Sequence, residues 1–153
     1  MSDSSNVFPG KYRRRIQIGI AVTFIGFLIF LLGARPEWFS LTQSPVIGYV
    51  QISVFIIGLG LMCLGAVVAC YAIWQNYPKN IIADIGLRIL ATGFVVAAVS
   101  AFADVVGLGT RPMPYLPFFG HWQNRGVLIG QGMIILGILM MIPYKHWFGE
   151  IEE

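Results

Sequence analysis

The chain has 153 residues, 57% hydrophobic and 11% charged, with a mean hydropathy of +0.76 and a net charge of +3. Soluble domains carry about 25% charged residues, so this chain is short of the charge needed to solvate a globular surface, and lipid must replace water around much of it. One small domain already takes about 100–150 residues, which excludes a second, soluble catalytic domain. The composition predicts an all-α integral membrane protein.

Taken in order, residues 1–15 read as a flexible basic cytoplasmic N-terminus, polar up to Asn6 and then carrying Lys11, Arg13, Arg14 and Arg15. A helix crossing a hydrocarbon core about 30 Å thick needs about 20 apolar residues. Residues 16–34 supply the first such run. A signal-peptide core is only about 7–15 residues long and ends in a small-residue cleavage site, whereas this run leads into Arg35-Pro36-Glu37, so it is expected to be retained. The second run covers 46–74. The third, 86–109, holds Arg88 near its start and Asp104 near its end, and 126–144 is the fourth. Residues 145–153 form a cytoplasmic C-terminal tail. These runs are continuously apolar, while barrel strands alternate over about 10 residues, so a bundle of four transmembrane helices spanning 16–144 is predicted.

Lys and Arg in short flanks stay on the cytoplasmic side. With four spans, seven basic residues fall inside, among them Lys79 and Lys145, against Arg35, Arg111 and Arg125 outside, so the N and C termini are both cytoplasmic. Tyr71, Trp74, Tyr77, Tyr144 and Trp147 then mark inner headgroup levels, and Trp38, Tyr115 and Trp122 mark the outer one. Anionic lipid accounts for the positive charge, so no nucleic acid is expected as a partner. The basic start and the lack of an organelle presequence point to a bacterial inner membrane.

Glycine spacing is the most informative pattern inside the spans. Gly19, Gly26 and Gly33 recur every seven residues, as do Gly86, Gly93, Ser100 and Gly107. Seven residues is about two turns, so each set lies on one stripe where a neighbouring backbone can approach. Ala97 and Ala101 complete a small-residue seam on the third span, which is therefore expected to be the helix most enclosed by protein. A shift of 74 also lays Gly19 on Gly93, Gly26 on Ser100 and Gly33 on Gly107, the pattern of a duplicated hairpin. The match is short and dominated by glycine, and it is read as coincidence.

Asp104 stands out, because acids inside a span are rare and commonly mark ion or substrate pathways. Arg35, Arg111 or Arg125 at the outer interface could neutralise it, and that structural role is preferred. Asp84 and Arg88, spaced i, i+4, should pair across a helix end. Thr23, Ser53, Thr92, Gln51 and Gln131 are expected to hydrogen-bond between helices.

Several chemistries are excluded. Cys63 and Cys70 lie seven residues apart on one helix, roughly 10 Å along its axis, too far for a disulfide. His121 and His146 belong to opposite faces and cannot hold one haem, and no four donors converge for zinc. Phosphate-binding loops, nucleophile elbows and zinc-binding helices are missing. No catalytic residue, cofactor or metal is expected. The stretch 111–124 has three prolines and four aromatics, and Pro114, Tyr115, Phe118, Phe119 and Trp122 make it a candidate docking loop. The expected function is a non-catalytic subunit assembling, through helix contacts, with a larger transport or respiratory complex or with itself. The alternative is a small homo-oligomeric transporter or channel with Asp104 in an outer vestibule. Membrane lipid surrounds either one.

Overall fold

The computed structural model describes residues 10–35, 49–74, 81–103 and 120–142. They form four helices: α1 (Gly10–Ala34), α2 (Tyr49–Trp74), α3 (Ile81–Ala101) and α4 (His121–Met141). All four are long and apolar enough to cross a membrane. No polar or charged described residue is buried, and large apolar side chains such as Phe24, Val50, Ile57, Val95 and Ile135 face outward. That inverts the distribution of a soluble bundle.

Helix ends depart from the apolar runs where local chemistry intervenes. Arg13, Arg14 and Arg15, expected in a flexible segment, lie within α1, because arginine and lysine are good helix formers without an apolar setting. Asp84 in the first turn of α3 favours a helix start there, where its charge meets the positive end of the helix dipole. The start of α4 is set by Gln123, whose side-chain oxygen accepts the backbone N–H of Gly120 at 2.7 Å. Trp122, expected in a loop, is therefore in the first turn of α4. The same helix stops because Ile142 precedes Pro143 and takes an extended backbone, with φ −77° and ψ 132°.

Two antiparallel hairpins, α1–α2 and α3–α4, carry most of the packing. Each is closed by glycine. A Cβ placed on Gly19 would lie 2.9 Å from the Gly65 carbonyl oxygen, and one on Gly26 would lie 2.5 Å from the Met62 nitrogen. Real side chains do not tolerate such distances, so only glycine lets the backbones touch and gain dispersion contact along the seam. In the second hairpin Gly86 meets the Gly137 carbonyl at 2.8 Å and Gly93 meets that of Gly130 at 2.7 Å by the same measure.

The partners match position by position. Gly19, Gly26 and Phe30 of α1 occupy the places of Gly86, Gly93 and Ala97 of α3, each 67 residues later. Gly58 and Gly65 of α2 occupy those of Gly130 and Gly137 of α4, each 72 residues later. In that register the sequences agree as well: Gln51, Ile57, Gly58, Gly60, Leu64 and Gly65 fall on Gln123, Ile129, Gly130, Gly132, Leu136 and Gly137. The fold is one hairpin used twice. The shift of 74 read as coincidence is one glycine interval out of this register, and the repeat behind it is structural.

The hairpins meet more sparsely than they close. α2 packs on α1, α3 and α4, while α1 rests on α2 and meets the second hairpin only marginally. It is α2, not α3, that is most enclosed, because it supplies the first hairpin's contact with the second. Leu59, Cys63, Cys70, Leu90, Ile134 and Met141 make the shared core. At one end the Trp74 indole N–H donates to the Met141 carbonyl at 2.7 Å. Along the α2–α3 contact the Phe94 ring lies 3.3 Å from the Cβ position of Gly60.

Candidate functional site

The hairpins part at the other end of the bundle. Where α1 finishes and α4 starts, an open cleft of about 790 Å³ separates them, with the first turns of α2 behind it. Phe30, Ile52, Phe55, Val127 and Leu128 give it apolar walls, and Phe30 and Phe55 stack with ring centres 4.8 Å apart. Arg35, Gln51, His121, Asn124 and Gln131 add polar groups. His121 and Gln131 are ten residues apart on α4, so the polar wall runs roughly 15 Å along the helix. Among the described residues no hydrogen bond engages the carboxamides of Gln51, Asn124 or Gln131. Among the described residues the cleft's lining holds no carboxylate, and its polar groups are the Arg35 guanidinium, the His121 ring and three carboxamides.

The expected site residues are placed unevenly. Gly19, Gly26, Gly33, Gly86, Gly93, Ala97 and Ala101 are buried, and a Cβ on Gly126 would run into Ser100. Ala97 is fully buried, at 0% exposure. These small residues join the helices within each hairpin. Arg125 lies with its guanidinium 5.4 Å from the centre of the Trp122 ring, a cation–π arrangement. Trp122 itself is 75% exposed. Arg35 lines the cleft. Asp104, Gly107, Arg111, Pro114, Tyr115, Phe118 and Phe119 lie outside the described residues.

Other polar side chains behave differently from expectation. Thr23, Ser53 and Thr92 donate to the carbonyls of Gly19, Tyr49 and Arg88 at 2.8–2.9 Å, each four residues back on its own helix, and not across helices. A hydroxyl one turn along a helix reaches that carbonyl with no partner chain needed. Asp84 and Arg88 pair at 3.1 Å on an exposed face. Both cysteines are free and buried, and no group of three metal-binding side chains occurs among the described residues.

The cleft was not anticipated from the sequence. Its signal lay in the repeat, because Gln131, Asn124 and His121 stand where the first hairpin has Leu59, Ile52 and Tyr49. Comparison with protein-family models, with curated proteins and with solved structures finds no match to this chain.

Proposed function

We propose that the chain is a non-catalytic integral membrane subunit, crossing a bacterial inner membrane four times with both termini in the cytoplasm and assembling with other membrane chains or with itself. The observation that carries this reading is Gly132. It is a helical glycine at whose Cβ position nothing lies within 4 Å, while Gly19, Gly26, Gly33, Gly58, Gly65, Gly86, Gly93, Gly130 and Gly137 are taken up by contacts within the bundle. Leu128, Ile129, Ile135 and Leu136 around it are all exposed. A glycine notch in an apolar ridge lets a second helix approach closely, which is how membrane helices associate without a hydrophobic driving force.

Gentle extraction from the native membrane followed by identification of co-purifying chains tests the assignment. Gly132→Leu should leave the isolated bundle intact and abolish recovery of the partner. Recovery unaffected by that change, or an unmodified chain that comes out alone and monomeric, would overturn it.

The cleft favours a second reading, a small homo-oligomeric transporter or channel in which Asp104, outside the described residues, would stand in an outer vestibule. Asp104→Asn in reconstituted vesicles separates the two. Intact assembly with lost flux supports the transporter, and no flux from the unmodified protein removes it.

A further inference from the structure

We infer that the partner at the Gly132 face of α4 is a second copy of this chain, whose α1 sets Phe27 over Gly132 as Phe94 is set over Gly60 within the chain. The inference rests on the reading that the helices cross a bilayer and that the chain assembles through this face.

The chain carries its own template for the contact. Between the hairpins, the Phe94 ring of α3 lies 3.3 Å from the Cβ position of Gly60 on α2. By the shifts of 72 and 67 that align the hairpins, the counterpart of Gly60 is Gly132 and that of Phe94 is Phe27. Both halves of the contact are thus present a second time, on α4 and α1. In the single chain they are unmated. Nothing lies within 4 Å of the Gly132 Cβ position, Phe27 is 41% exposed, and α1 meets the second hairpin only marginally.

The surfaces around the pair follow the same rule. On α2, Cys63 is 6% exposed and Val67 packs on the same core, whereas their counterparts on α4, Ile135 and Leu139, are 60% and 47% exposed. On α3, Leu87 packs into that core, and its counterpart on α1, Ile20, is 59% exposed. Gly132, Ile135 and Leu139 are spaced by three and four residues and form one stripe; Ile20 and Phe27, two turns apart, form another. None of the five lines the cleft, where the copies differ in polarity at Asn124 and Gln131. The α4 stripe keeps the notch and the apolar side chains of a face that α3 covers in the first hairpin. The surface equivalent to α3 is α1, and in its own chain α1 leaves the stripe bare.

Direction agrees with this pairing. With four crossings, α1 and α3 run one way through the bilayer and α2 and α4 the other, so α2 and α3 meet antiparallel. Copies of one chain insert with the same orientation, and α4 of one then meets α1 of the next antiparallel as well. Close approach at a glycine is what such helices need in order to associate in lipid. Because the two patches differ, the contact is head-to-tail, and it closes into a ring when the rotation per copy allows.

The test uses the full chain in its native membrane, with two differently tagged copies expressed together. Benzoylphenylalanine in place of Phe27 keeps an aromatic ring and, on illumination, bonds to adjacent C–H groups. It should join the two tagged chains, with the bond in the α4 peptide of the other copy that contains Gly132. The same probe in place of Ile25, on the opposite side of α1, should not. In detergent, Phe27→Ala should weaken self-association about tenfold or more, as loss of a central aromatic anchor does, and Gly132→Leu should abolish it. Phe27 and Gly132 are both exposed in the single chain, so its fold should survive either change. A bond formed within one chain, to lipid or to a chain of another kind, or self-association unmoved by both substitutions, would overturn the inference. A different membrane chain recovered by the unmodified protein and lost with Gly132→Leu would sink this inference and spare the assembly reading. A chain that leaves the membrane alone and monomeric would sink both.

Discussion

The Trp74 indole N–H donates to the Met141 carbonyl at 2.7 Å and so ties the end of α2 to the end of α4. The last carbonyls of a helix lack partners from further along it, and α4 stops at Met141, two residues before a proline in the sequence. The bond satisfies one of them and also bridges the two hairpins. Trp74→Phe keeps most of the apolar ring and removes the donor, so it should cost on the order of 1 kcal/mol. Thermal unfolding in detergent measures the loss, and hydrogen exchange should quicken in the last turn of α4. No change in either would mean that apolar contact alone holds the hairpins together.

Two glycines two residues apart on α4 should respond in opposite directions. A Cβ on Gly130 would lie 2.6 Å from the Ala97 nitrogen, whereas one on Gly132 meets nothing within 4 Å. Gly130→Ala should force α3 and α4 apart and destabilise by about 1–3 kcal/mol. Gly132→Ala should be neutral or stabilise by up to about 1 kcal/mol through helix propensity. Side-by-side melting of the two variants, without any partner, checks the ordering.

The repeat predicts matched effects at matched positions. Gly26→Leu and Gly93→Leu each drive a large side chain into the facing backbone, at Met62 and at Gly130. Both should lower the melting temperature by similar amounts. If one is severe and the other silent, the hairpins are not equivalent in energy, whatever their geometry.

Arg88→Gln should do little. Its ion pair with Asp84 has side chains 79% and 58% exposed, and water screens such pairs to about 0–1 kcal/mol. A melting-temperature change as large as that of Gly93→Leu would show that Arg88 touches something beyond Asp84.

Orientation is open to a direct check. A reporter active only outside the cytoplasm should be silent after Glu153 and active near Gln43 or Pro114, as the seven-to-three division of basic residues requires. An active fusion at the C-terminus would reverse the proposed topology.

The sequence alone determined that there are four long apolar helices, and it marked the close-contact residues Gly19, Gly26, Gly33, Gly86 and Gly93, because span length and side-chain size are both local properties. Only the tertiary structure decided which helix each seam meets, that α2 is the most enclosed, and that the copies align at shifts of 67 and 72. The reason is physical. A helix that is apolar all round has no polar face to distinguish inside from outside, so size is the only periodic signal left. That signal repeats every seven residues, so an alignment slipped by one interval, at 74, scores much as the true one does until antiparallel partners fix the register. The cleft was hidden for the same reason: Gln131 in place of Leu59 acquires meaning only once Gly60 is seen closed on Phe94 while Gly132 stands open.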